Sequence, residues 1–169
     1  GFLFHENRPG DGNDYVQVLG LINNRRMSQW IRSDYITGPE SFGSFKTAVP
    51  AANGSGAFGE VLSTPRVLGP NMAVTQTFIT IGNFENRGEA EACLKYIKTK
   101  FARTLLGVLK ITQHNPAKVW KYVPNQDFTS GSAIDWSESI AEIDRKLYTK
   151  YGLNAEEIEF IESHVKPMS

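Results

Sequence analysis

The sequence predicts an α+β fold: a small mixed sheet, one long amphipathic helix and a C-terminal helical hairpin. Three observations lead there. Short runs rich in β-branched and aromatic residues fill the first half of the chain, for example Tyr15 to Ile22. Apolar residues recur every three or four positions from Ala90 to Val108. Two shorter periodic segments, each with cap and stop residues, close the chain.

The elements follow in order. Tyr15 to Ile22 reads as a strand, Asn23-Asn24 as a turn and Met27 to Ile31 as the returning strand. Phe45 to Val49 is a short strand stopped by Pro50, and Ala51 to Gly59 is a glycine-rich loop. Thr75 to Ile81 alternates polar and apolar residues, as a half-buried strand does. Asn86, three residues before Glu89, caps the long helix. Ala90, Leu94, Ile97, Phe101, Leu105 and Val108 form its buried face, Lys95, Lys98, Arg103 and Lys110 lie off that face, and Gly107 bends or divides it. Pro116 ends the helical run, and Lys118 to Val123 reads as a last strand. Two helices complete the chain, one from about Trp136 to Tyr151 with Asp135 as cap and Gly152 as stop, the other capped by Asn154 and ended by Pro167. The expected organisation is a body over 1–128 and a helical tail over 129–169.

Composition narrows the function. The chain has 169 residues, of which 40% are hydrophobic, enough for a packed core. No apolar stretch approaches the ~20 residues that span a bilayer. The lone cysteine, Cys93, cannot form an internal disulfide, and a cytoplasmic protein is expected. The chain opens on Gly1 rather than Met, as a piece of a longer protein would. Net charge is zero but unevenly spread. From Arg87 to Lys121 there are eight basic and two acidic residues, and from Tyr122 onward four basic and nine acidic. Such a basic segment either faces a polyanion or meets the acidic end of its own chain.

Local motifs exclude more than they assign. Gly54-Ser-Gly-Ala-Phe-Gly-Glu-Val61 fits the glycine-loop pattern of kinases, but the next lysine is Lys95, on a helix, and no catalytic-loop motif follows. Pro65 stands where a dinucleotide-binding helix would run. The loop therefore turns the chain or touches a DNA backbone. His5, His114 and His164 show no metal-ligand spacing, and Cys93 reads as a small buried residue. No catalytic residue and no metal ligand is predicted. The tract from Lys110 to Lys118 gathers amide and basic groups at the end of a helix, which suits hydrogen bonds to base edges and phosphates as well as an ordinary polar connection.

Several blocks then occur in order: Phe45-Lys-Thr-Ala-Val-Pro50, Ala52-Asn-Gly-Ser-Gly-Ala-Phe-Gly-Glu-Val-Leu62, Tyr96-Ile-Lys-Thr-Lys-Phe101, Leu109-Lys-Ile-Thr-Gln113 and Lys118-Val-Trp-Lys-Tyr-Val-Pro-Asn-Gln-Asp-Phe128. The tail adds Ile143-Asp-Arg-Lys-Leu-Tyr-Thr-Lys-Tyr-Gly152, Glu156-Glu-Ile-Glu-Phe-Ile-Glu162 and Val165-Lys-Pro-Met168. Over residues 45 to 168 this series resembles the C-terminal, target-recognising region of bacterial adenine-specific DNA methyltransferases of restriction-modification systems. The resemblance implies an upstream catalytic region that binds S-adenosylmethionine and carries an Asn-Pro-Pro-Tyr motif. It also implies a C-terminal region that grips duplex DNA, and some relatives cleave DNA as well. The present chain lacks that motif, since Asn115-Pro116-Ala117 has neither the second proline nor the aromatic. It is therefore expected to be non-catalytic and to hold no cofactor of its own. Its expected partners are duplex DNA and the upstream methyltransferase domain, with no membrane. The expected DNA-contacting residues are Lys46, Asn53, Ser55, Lys110, Gln113 and Lys118. The competing reading is a protein-interaction or structural domain within a larger assembly.

Overall fold

A computed structural model describes residues 3–52, 56–109 and 117–169. Its architecture is α+β, with two three-stranded sheets and five α-helices among those residues. The first sheet has the order β2-β1-β5, from β1 (Tyr15–Ile22), β2 (Arg25–Arg32) and β5 (Met72–Val74). β1 and β2 pair antiparallel along their whole length, from Tyr15 opposite Arg32 to Ile22 opposite Arg25. Asn23 and Asn24 close the hairpin at φ 49° and 60°, the left-handed pair that a two-residue turn of matching twist requires. β5 joins the other side of β1 in parallel.

The second sheet has the order β4-β3-β6, from β3 (Phe45–Pro50), β4 (Arg66–Leu68) and β6 (Phe78–Phe84), all antiparallel. β3 is buried on both faces, and alternation tells why. Ala48 faces the first sheet, sharing a small core with Leu19, Leu68 and Phe78. Val49 and Thr47 face the helices, where the Thr47 hydroxyl donates to the Ala90 carbonyl at 2.9 Å. β6 starts three residues later than the alternation suggested. Thr75 to Phe78 forms a turn instead, with Phe78 N–H donating to the Thr75 carbonyl.

The long helix is divided, but not at Gly107. α1 (Arg87–Lys98) starts on Asn86, whose side chain accepts from Glu89 N–H, as its spacing predicts. It ends at Thr99, and α2 (Lys100–Leu109) begins immediately. Thr99 is fully buried, and its hydroxyl bonds backwards to the Tyr96 carbonyl and forwards to Ala102 N–H. A β-branched hydroxyl side chain competes with the helix in this way and favours a cap. The break turns α2 relative to α1. Ala90, Ile97 and Phe101 are buried as expected and Leu94 and Leu105 half-buried, but Val108 is 70% exposed. Leu106 and Arg103 point inward instead. Gly107 serves contact rather than bending: a Cβ there would lie 2.9 Å from the Phe58 ring.

The new N-terminus of α2 is capped from a distant part of the chain. Asp144, on α4 (Ile140–Lys150), accepts from Lys100 N–H at 3.0 Å and from Phe101 N–H at 2.9 Å. With Thr99, it satisfies the first three amide groups that a helix leaves without partners. α4 begins later than Trp136, on Ser139. Asp135 holds a local turn through Ser137, and the Trp136 indole donates to the Asp127 carbonyl within an aromatic cluster. Gly152 ends α4 at φ 65°. Asn154 and Glu157 form a reciprocal capping box at the start of α5 (Ala155–His164). The expected strand from Lys118 is instead the short helix α3 (Ala117–Trp120) and a turn. Its β-branched residues serve packing, because Val119 meets Leu62 and Leu106.

The tail is no appendage. Ile143, Leu147, Tyr148 and Ile161 share the main core with Cys93, Ile97 and Phe101, so the boundary read after residue 128 runs through continuous packing. The Cys93 thiol is buried there, and burial pushes its pKa up to about 12, far from thiolate chemistry. No helix among the described residues is long and apolar enough to cross a membrane.

Asp144 makes stability depend on pH with an unusual sign. Burial outweighs the two amide donors and raises its pKa from the usual 3.8 to about 6. The folded state therefore binds the proton more tightly than the unfolded chain, and this contribution is lost as pH rises from about 4 to 6. The stability of the wild type relative to Asp144→Asn, measured by urea unfolding, should fall by up to ~3 kcal/mol over that window. A difference independent of pH would contradict the assignment.

Candidate nucleic-acid interface

Several cations of the basic stretch bond within the fold. Lys95 donates to the carbonyls of Trp136, Ser137 and Glu138. Lys98 reaches the Ser169 carbonyl, and Lys100 pairs with Glu162 at 2.5 Å. Arg87 pairs with Glu91 on its own helix. Arg103 is buried and donates to the carbonyls of Lys98, Gly59, Glu60 and Lys166. Burial lowers its pKa, which is opposed by the charge of Asp144. Lys95, Lys98 and Lys100 thus meet the tail of their own chain, and Arg103 reaches it at Lys166, so part of the basic stretch is engaged within the fold.

Of the six residues expected to contact DNA, two lie within the described residues. Lys118 is exposed on α3. Lys46 is 3% exposed, and its ammonium bonds the carbonyls of Phe42, Ser44 and Gly69 at 3.1–3.2 Å. It ties a strand end to two loops, and in this position it offers nothing to a phosphate. Asn53, Ser55, Lys110 and Gln113 lie outside the described residues.

The segments that flank these positions come together. Leu62, following the glycine-rich loop, is buried against Leu106 of α2 and Val119 of α3, with Trp120, Val123 and Met168 packed around them. Described residues that follow the 51–59 loop and flank the 110–118 tract therefore pack together. Lys118 and Lys121 are exposed on either side of Val119. Immediately after Leu62, the hydroxyls of Ser63 and Thr64 accept from Arg26 at 3.0 and 2.6 Å. That contact brings in the tip of the β1–β2 hairpin, with Asn23, Asn24 and exposed Arg25. A cleft of about 370 Å³ lies beside it, lined by Leu21, Arg26, Ala51, Ala52, Gln76 and Thr77.

Sequence reasoning missed the two arginines. Asn-Asn reads as a turn, and a turn followed by Arg-Arg places two cations at the end of a two-stranded ribbon. That signal was present, but the contact with Ser63 and Thr64, 37 and 38 residues away, was not.

The glycine pattern also finds a local cause. Gly59 has φ 74°, and a Cβ there would lie 2.3 Å from the His164 carbonyl oxygen. Its own carbonyl accepts from Lys166 N–H at 3.0 Å and from Arg103. The residue is glycine because two backbones meet, with no need for a phosphate. Among the described residues no group of three or more His, Cys, Asp or Glu could hold a metal ion. No protein-family model, curated protein or solved structure matches the chain.

Gly59→Ala should separate the loop from the C-terminal segment, costing ~1–3 kcal/mol through the strained φ and the clash. Hydrogen exchange at the Lys166 amide should accelerate with it. Unchanged exchange there would show that this contact does not hold the loop.

Proposed function

We propose that this chain is the DNA-target-recognising part of an adenine-specific DNA methyltransferase of a restriction-modification system, and that it grips duplex DNA without catalysing the methyl transfer. The ordered blocks between residues 45 and 168 suggest the family. The observation that carries the reading is the Leu62–Leu106–Val119 junction, which gathers the flanks of both polar loops beside exposed Lys118 and Lys121. Loops set on a rigid core are where recognition residues are commonly placed.

In this reading Lys118, Lys121 and Arg25 contact phosphates, which position the protein but carry no sequence information. The Asn23-Asn24 tip is narrow enough to approach a groove, since a two-stranded ribbon fits the major groove. Asn53, Ser55, Lys110 and Gln113 remain candidates for direct contacts. Lys46 is left out, because its ammonium is already bonded inside the fold.

The residues described do not fit S-adenosylmethionine. Five of the six strands lie in antiparallel pairings, and β5, the one joined in parallel, is linked to β1 through the hairpin and β3–β4 rather than by a helix with a glycine-rich turn. The cofactor is assigned to the catalytic region of the parent enzyme, and no chemical step is assigned to this chain.

Fluorescence anisotropy with a duplex of random core sequence, at several salt concentrations, tests the reading. Binding should weaken steeply with salt as phosphate contacts release counterions. Lys118→Ala and Lys121→Ala should each weaken binding to all sequences alike and reduce the salt slope by about one. Gln113→Ala should instead relax preference at one base pair, at ~1–3 kcal/mol. Absence of binding at low salt would contradict the proposal.

A further inference from the structure

The face opposite in charge to the proposed DNA surface lies between α2 and α5. There the two helices leave a groove of about 490 Å³ walled by Phe101, Leu105, Val108, Leu153, Phe160 and Ile161. Val108 is 70% exposed and Phe160 48% exposed. Phe58 extends the patch, its ring 5.8 Å from that of Phe160. Contiguous exposed apolar surface of this kind marks a site where another molecule docks.

Among the described residues, the charged ones that line the groove are Glu156 and Glu157, both acidic. Glu159 adds a third carboxylate on the exposed side of α5. Lys100, at the start of α2, is already paired with Glu162. Phosphate is repelled from such a rim, which sets the groove apart from the DNA surface. A second copy presenting its own α5 is a poor occupant too, because Glu156, Glu157, Glu159 and Glu162 are exposed on that helix and would meet like charge. The walls are two ten-residue helices, each about 15 Å long, so the space between them accepts a helix of about three turns laid into the groove.

We infer that the α2–α5 groove is a protein-docking site for an amphipathic helix of another polypeptide segment, with a leucine-like apolar stripe flanked by lysine or arginine. The apolar stripe covers Leu105, Val108 and Phe160, and the flanking cations meet Glu156 and Glu157. This inference stands independently of the DNA reading, since it uses a different surface and the opposite charge.

The test uses the full chain and two fluorescein-labelled synthetic helices of about 14 residues, one built from leucine and lysine, the other from leucine and glutamate with the same apolar stripe. Anisotropy should show micromolar binding of the Leu/Lys helix and binding at least ~tenfold weaker of the Leu/Glu helix. Phe160→Ala and Val108→Ser, both at exposed positions, should each weaken Leu/Lys binding ~tenfold while leaving the circular dichroism spectrum unchanged. Glu156→Lys should narrow the difference between the two helices. No binding of the Leu/Lys helix, equal binding of both helices, or binding indifferent to Phe160→Ala and Val108→Ser would each overturn the inference.

Discussion

Arg103 places a guanidinium beneath the surface and directs it at four backbone carbonyls drawn from three separated parts of the chain: the break between α1 and α2 at Lys98, the loop at Gly59 and Glu60, and the C-terminal segment at Lys166. A planar cation with five N–H donors can serve several acceptors at once, which a lysine ammonium at the same place could not do with the same geometry. Asp144 stands behind it, capping α2 and supplying opposite charge. The two side chains act on the same helix break, one holding the ends of the chain to it and the other closing its amides. They add to the Lys166 amide on the Gly59 carbonyl and to the reach of Lys98 and Lys100 to the tail, and together these polar contacts set the register of the loop, the helix junction and the tail.

The same logic extends to the other cations of α1 and α2. Lys95 closes around three carbonyls just ahead of α4, and Lys98 and Lys100 reach the last residues of the chain and α5. A sequence with a basic middle and an acidic end thus folds with the two against each other. Neutral net charge hides an internal division of labour: Lys95, Lys98 and Lys100 bond within the fold, whereas Lys118, Lys121 and Arg25 are exposed and make up the proposed DNA surface. The proposed DNA surface is accordingly small, and its placement depends on Arg103 and Leu62 holding the loop that joins its parts.

Much of the fold is legible in the sequence where local chemistry decides it. Asn86, Asn154 and Gly152 mark helix ends through their own side chains or φ angles, and the β1–β2 hairpin follows from alternation around Asn-Asn. The failures share one cause, a distant partner. The division of the long helix needs Asp144, 44 residues beyond Lys100, to close the new end, so periodicity alone carried the apolar face through to Val108. Lys118 to Val123 has strand-like composition, but Val119 is called to Leu62 rather than to a sheet edge. Lys46 reads as a DNA-contacting cation in the sequence because nothing near it reveals the carbonyl of Gly69. Two polar tracts stand out in the sequence, but the packing of their described flanks, and the contact of the hairpin-tip Arg26 with Ser63 and Thr64, depend on residues far apart in the chain.

The most direct test of this account replaces Arg103 by lysine, which keeps the charge and removes the fork of donors. Urea unfolding should show a loss of ~2–4 kcal/mol, and hydrogen exchange at the Lys166 amide should accelerate beyond what the global loss explains. A variant within ~0.5 kcal/mol of the wild type, with that amide still protected, would contradict the claim that this side chain's geometry, rather than its charge, organises the molecule.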